Sequence, residues 1–97
     1  MNDQQIEKEI VEKGKTAPRV TPDHIEGIIA QEAYFTAEDG AFCVLVLRNG
    51  FTVTGESACA SPENFDAEIG RKIARQNAVN KIWMLEGYLL KQKLIEQ

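Results

Sequence analysis

The stretch Phe42-Cys43-Val44-Leu45-Val46-Leu47-Arg48, Asn49-Gly50, Phe51-Thr52-Val53-Thr54-Gly55-Glu56-Ser57 sets an Asn-Gly pair between two β-rich runs. Asn-Gly accepts positive φ at both centres of a two-residue type I′ turn, so the spacing predicts a tight hairpin. The register then follows: Arg48 opposite Phe51, Val46 opposite Val53, Val44 opposite Gly55 and Phe42 opposite Ser57 on one face. The other face carries Cys43, Leu45 and Leu47 opposite Glu56, Thr54 and Thr52. Both faces of the first run are apolar, so each needs a cover, helices on one side and a second copy on the other. A lone hairpin is marginal in water, and Ala33-Tyr34-Phe35-Thr36 is the expected third strand.

Toward the C-terminus, Ser61-Pro62 restarts helix, with Glu63, Asp66 and Glu68 near its positive end. Phe65, Ile69, Ile73 and Trp83 share a side of the helical wheel and read as the core stripe. Arg71 and Arg75, one turn apart with Ala78 in line, fall on nearly the opposite side. Two guanidinium forks at that spacing repel unless an anion lies between them, and they suit phosphate or carboxylate. An ordinary solvated surface is the alternative, since Glu68 stands three residues before Arg71 and four before Lys72. Gly87 weakens a helix interior and predicts a kink or break, giving two C-terminal helices as a bent or hairpin pair. Beyond the break, Leu85, Tyr88, Leu89 and Ile95 form one apolar side and Leu90 and Leu94 another, a pattern that fits packing within an oligomer.

Toward the N-terminus, residues 3 to 13 are helix-prone, with Ile6, Ile10 and Val11 on one stripe, and residues 13 to 19 read as a polar linker interrupted by Gly14 and Pro18. Gly14-Lys15-Thr16 matches only the end of a phosphate-binding loop; the upstream glycine and the preceding strand are missing, so that reading is rejected. Thr21-Pro22-Asp23 starts a short helix buried through Ile25, Ile28 and Ile29. His24, in its first turn, is expected to be solvated or capping. Residues 1–19 are therefore an N-terminal helix and linker, and residues 20–97 a single α+β domain: N-terminal helices, a short antiparallel sheet centred on the 42–57 hairpin, and the C-terminal helices.

Ninety-seven residues, 43% hydrophobic and 27% charged, suit one folded domain and exclude a two-domain enzyme. A net charge of −4 argues against general nucleic-acid binding. The charge is uneven, net −7 over residues 1–66 and net +3 over residues 67–97. That points to a local anion site, or to attraction between the two parts within the fold or across an oligomer. Cys43 and Cys59 form no CxxC unit and His24 is the sole histidine, so neither a metal nor another cofactor is expected. One histidine also leaves little acid-base machinery, and the protein is expected not to be an enzyme. There is no apolar run long enough to span a membrane, and Met1-Asn2-Asp3-Gln4-Gln5 lacks a signal-peptide layout, so a cytoplasmic location is expected.

Leu47 through Cys59, Ser61-Pro62-Glu63-Asn64-Phe65-Asp66, Gly70-Arg71-Lys72-Ile73-Ala74, Asn77-Ala78-Val79 and Ile82-Trp83 resemble a family of small tailed-phage proteins named after gene products of podophages N4 and Sf6. The resemblance covers residues 20 to 94, with a shortened Asp39-Gly40 connection and Met84 where proline is common. It implies a phage or prophage product acting inside the bacterial host, and brings no established activity. More loosely, the architecture is similar to phage sponges that defeat Thoeris and cyclic-nucleotide immunity, small oligomers of a hairpin and a helical pair; no residue transfers from that likeness. Chemistry supplies the candidates: Arg71 and Arg75 to hold phosphates, Phe51 to stack a base, Asn49 and Ser57 to bond polar ligand edges. Each has a structural alternative, in the turn for Asn49, the core for Phe51 and a strand end for Ser57. The expected function is sequestration of a nucleotide-derived immune signal by a homo-oligomer. The alternative is a protein inhibitor docking on a host protein through the Leu45 and Leu47 face or the C-terminal helix.

Overall fold

The computed structural model describes residues 2–97. Met1, the first residue of the expected N-terminal segment, lies outside them. Helix α1 (Asp3–Glu12) is followed by a linker and α2 (Pro22–Gly27), then strands β1 (Ile29–Ala37), β2 (Gly40–Leu47) and β3 (Thr52–Ala58), a 3-10 turn over Pro62–Asn64, and α3 (Ala67–Glu96). The strands form one antiparallel sheet in the order β1-β2-β3. Mixed α+β architecture built on the hairpin is what the sequence pattern predicts.

Helix starts follow local chemistry. Asn2 and Gln5 close a reciprocal capping box on α1, Thr21 Oγ1 accepts from His24 N ahead of Pro22 at 3.1 Å, and Asp66 Oδ1 accepts from Ile69 N at 3.1 Å. Ser61-Pro62 yields only the short 3-10 turn, and the long helix waits for the Asp66 cap.

The hairpin register differs from the expected one by a single residue. Leu45 stands opposite Val53, Cys43 opposite Gly55 and Val46 opposite Thr52. The loop has three residues: Gly50 N donates to Leu47 O and Leu47 N to Phe51 O, each at 2.8 Å, and only Gly50, at φ +90°, takes the left-handed region. This is a type I turn closed by a glycine bulge. The tight two-residue connection belongs instead to Glu38-Asp39 between β1 and β2, with Glu38 at φ +53°. A one-residue shift turns every β3 side chain over. Val53 and Gly55 thereby join Cys43, Leu45 and Leu47 under the helix, while Thr52, Thr54 and Glu56 go to the open side with Phe42, Val44 and Val46. The expected register would have buried Glu56 and two threonines.

Helix α3 is uninterrupted through Gly87, so the expected pair of C-terminal helices is one helix of 30 residues. A glycine costs only about 1 kcal/mol in a helix interior, and the Ala, Leu, Glu, Lys, Gln and Arg residues of the run offset both Gly87 and Gly70. At 1.5 Å per residue α3 is about 45 Å long, close to the 51 Å long dimension of the molecule. The face it lays on the sheet is also not the expected one. Gly70, Ala74 and Ala78, with Val79 and Ile82, are buried, whereas Ile69 and Ile73 are 55% and 49% exposed. Close approach explains the inversion: a Cβ added at Gly55 would lie 2.2 Å from Ala74 O and 2.4 Å from Ala78 N. The helix backbone sits directly on β3, and only small side chains fit between them. Ile25 of α2 closes one end of a core otherwise built from Ala41, Cys43, Leu45, Leu47, Val53 and the small α3 face.

Among the described residues nothing covers the second sheet face. Phe35 and Phe42 stand opposite each other there, both large and exposed, beside half-buried Val44 and Val46.

Candidate functional site

Because Ala74 and Ala78 face the sheet, the row containing Arg71 and Arg75 runs along the edge of the buried face, beside β1, rather than on the outer side. Arg75 reaches across to two elements. Its Nε and Nη2 donate to Glu32 at 3.1 and 3.0 Å, and Nη2 and Nη1 to Glu26 at 3.0 and 3.3 Å. Tyr34 Oη completes the cluster, donating to Glu32 Oε1 at 2.5 Å. The hydrogen bonds from Arg75, then from Tyr34, hold the Glu32 carboxyl below its ordinary range. The Arg75 pKa is raised in turn, first by the bond to Glu32. Desolvation, then the carboxylate of Glu32, pushes the Tyr34 phenol up to about 12, so it stays a donor. Arg75 therefore clamps α3 to α2 and β1 through charge-assisted bonds. Arg71, one turn earlier and half-buried, has no carboxylate partner among the described residues.

The remaining candidates lie elsewhere. Asn49 Oδ1 accepts from Phe51 N at 2.9 Å and so belongs to the turn. Phe51 is beside it, 56% exposed, in place of the core position its type favours. Ser57 Oγ donates to Gly70 O at 2.9 Å, tying the far end of β3 to the first turn of α3. Ser57 lies six residues along the chain from Phe51, about 20 Å of extended backbone. Asn49, Phe51, Ser57 and Arg75 line four different clefts. Within one chain the five residues do not converge; Arg71 and Phe51 are the two whose functional groups are left free.

Glu26, Glu32 and Tyr34, the acids and phenol around Arg75, carry no signal in the sequence. They lie 49, 43 and 41 residues before their arginine, and no local spacing connects them. The Leu45 and Leu47 face, expected to be available for docking, is 0% and 7% exposed beneath α3. The free face of the hairpin is the one bearing Phe42, Val44 and Val46. Cys43 is buried, and desolvation pushes its thiol pKa up, which disfavours the thiolate. His24 bonds Glu86 of α3 at 2.5 Å, linking two helices. Among the described residues no group of three His, Cys, Asp or Glu is placed to hold a metal ion, and no helix is long and apolar enough to cross a membrane.

A second cleft system lies under α1. Trp83 Nε1 donates to Asp3 Oδ2 at 3.0 Å, and Arg19 pairs with Glu7 through both guanidinium nitrogens. These contacts hold a helix that buries none of its own residues. A cleft of about 300 Å³ remains between Ile6, Ile10, Val20, Pro22 and Trp83.

No curated protein and no solved structure matches the chain. A family model described as Phage protein (N4 Gp49/phage Sf6 gene 66) family matches residues 20–94. The matched span runs from the residue before the Thr21 cap to the last turns of α3, taking in the sheet, Arg71 and Arg75 and leaving out α1 and its linker. The chain thus belongs to the N4 Gp49/phage Sf6 gene 66 family of phage proteins.

Proposed function

We propose that the protein is a non-enzymatic binder that works as an oligomer in the cytoplasm of the infected bacterium and sequesters a nucleotide-derived signal of antiphage immunity, a cyclic oligonucleotide or a cyclic ADP-ribose isomer. The observation that carries this reading is Arg71, a half-buried guanidinium with no acidic partner among the described residues, one helical turn from Arg75 in an otherwise acidic protein. A guanidinium fork at a partly desolvated edge suits a phosphate. Phe51, with a free ring at the hairpin tip, is the aromatic available to stack a base. Arg71 and Phe51 are remote within one chain, so the pocket takes them from two copies.

Calorimetric titration against a panel of cyclic dinucleotides, cyclic trinucleotides and cyclic ADP-ribose isomers tests it, with denatured-protein supernatant assayed for released ligand. Tight binding with intact release is expected. Arg71→Glu is the clean variant, since Arg75 holds the fold through Glu26 and Glu32, and it should lower affinity at least about 100-fold. A flat panel, or binding that survives Arg71→Glu, defeats the reading.

The uncovered sheet face favours a second reading, a phage protein that inhibits or redirects a host protein. Phe35, Phe42, Val44 and Val46 form an apolar patch that a monomer leaves wet. Phe42→Asp would then abolish capture of one defined host protein while leaving the ligand panel unchanged.

A further inference from the structure

We propose that the exposed end of α3 is a contact with a second copy of this chain, the two helices packing antiparallel about a two-fold axis between Tyr88 and Leu89. The inference rests on the oligomeric part of the proposed function and names one contact of that oligomer, distinct from the one that would bring Arg71 and Phe51 together.

Past Ile82 the helix runs off the end of the sheet, Met84 and Leu85 still bordering β3, and carries large apolar side chains into solvent. Met84, Tyr88 and Ile95 are 75%, 72% and 65% exposed, and Leu85 and Leu89 are exposed beside them. At 100° per residue these five fall within an arc of about 140° on one side of the overhang, interrupted by Gln92 between Leu89 and Ile95. In its first turn the other sides are occupied, Trp83 bonding Asp3 of α1 and Glu86 bonding His24 of α2; farther out, Leu94 is 38% exposed off the stripe. An isolated overhang with such a stripe loses the burial that amphipathic helices rely on for stability.

Charge identifies the occupant and its direction. Lys81, Glu86, Lys91 and Glu96 alternate in sign at intervals of five residues. A parallel, in-register copy would set like charge on like charge at all four levels. An antiparallel copy centred between Tyr88 and Leu89 sets Lys81 level with the second copy's Glu96, and Glu86 level with its Lys91, so each level becomes an opposite pair. Glu86 already bonds His24, which leaves Lys81 and Glu96 as the pair that steers the docking. The same arrangement carries the second copy's Ile95 to the level of Ile82. Such a contact is isologous: the same stripe serves both copies.

Sedimentation equilibrium over a concentration series bracketing about 10 μM measures the association. Wild type is expected to be at least dimeric. Leu89→Glu, at the axis, should weaken self-association at least about 30-fold with the helical circular dichroism retained. Lys81→Glu should weaken it about fivefold, the two-fold axis counting the pair twice, and Lys81→Glu with Glu96→Lys should restore it. In a Cys59→Ser background, Leu89→Cys should cross-link between copies. Ile95→Cys should not, because the antiparallel arrangement holds the two copies of that position about 20 Å apart. Self-association indifferent to Leu89→Glu, a charge reversal that Glu96→Lys does not rescue, or equal cross-linking at both cysteine positions overturns this interface while leaving the oligomeric reading in place. A wild-type chain monomeric throughout the series overturns both. Ligand titration of the Leu89→Glu variant separates this contact from the Arg71 site, which lies about 25 Å along the helix from the axis.

Discussion

Along α3, residues 70 to 82 meet the sheet through glycine, alanine, valine and isoleucine, whereas residues 84 to 95 carry methionine, leucine, tyrosine and isoleucine beyond it. Both parts are helix of the same regularity; what differs is the distance of the nearest neighbour. Over Gly55 the backbones of helix and strand are so close that side-chain volume decides which face turns inward. Ala74 and Ala78 win over Ile69 and Ile73 although they are less hydrophobic. Beyond the sheet no neighbour among the described residues imposes a size limit, and large apolar residues project into solvent. Hydrophobicity ranks faces only when each can be accommodated.

The contrast breaks most completely at Gly55. Gly55→Val places a branched side chain against the carbonyl of Ala74 and the amide of Ala78, neither of which can yield without lifting α3 from the sheet. Loss of the cooperative thermal transition is expected, and a transition within a few degrees of wild type would show that the helix does not sit so near. Ile82→Ala, at the last fully buried position before the overhang, should cost about 2–4 kcal/mol by urea denaturation. Ser57→Ala removes the bond to Gly70 O and should cost about 1 kcal/mol in the same measurement.

The Arg75 clamp sharpens the comparison by pH. Glu32 has its pKa lowered from 4.5 in the folded state. Its contribution is therefore fully present above that value and is lost as pH falls from about 4.5 toward the depressed folded value. Arg75→Met should flatten the acid limb of the stability profile between these limits, and an unchanged limb would remove the clamp from the account. The pair is partly exposed, so the effect is modest. Smallest of all, Met84→Ser on the overhang should change stability by less than about 0.5 kcal/mol at concentrations where the chain is monomeric, although its helix is the same helix.

Much of the fold was legible because its causes are local. The Thr21-Pro22 start, the linker around Gly14 and Pro18, the hairpin over residues 42–57 and the helical run after Asp66 each follow from residues within a few positions of one another. Even Asn49-Gly50 marked the turn correctly and misled only about its length. Two hairpin loops differing by one residue are close in local energy, and the choice depends on what lies under β3. That both faces of β2 are apolar was legible from its unbroken apolar run; that one of them is left open was not. Arg71 and Arg75 were visible as a pair, but their inequality was not.

From the sequence alone, then, came the α+β class and most of the elements in their order, since periodicity, caps and turn chemistry act over one or two turns of chain, and, by resemblance, the family. Tertiary structure alone decided the strand register, the face of α3 that is buried and the role of Arg75. Each depends on groups distant in sequence: Gly55 against Ala74 and Ala78, and Glu26 and Glu32 against one guanidinium. Volume and charge complementarity between such groups exist only once the chain has folded, and no spacing within the chain records them.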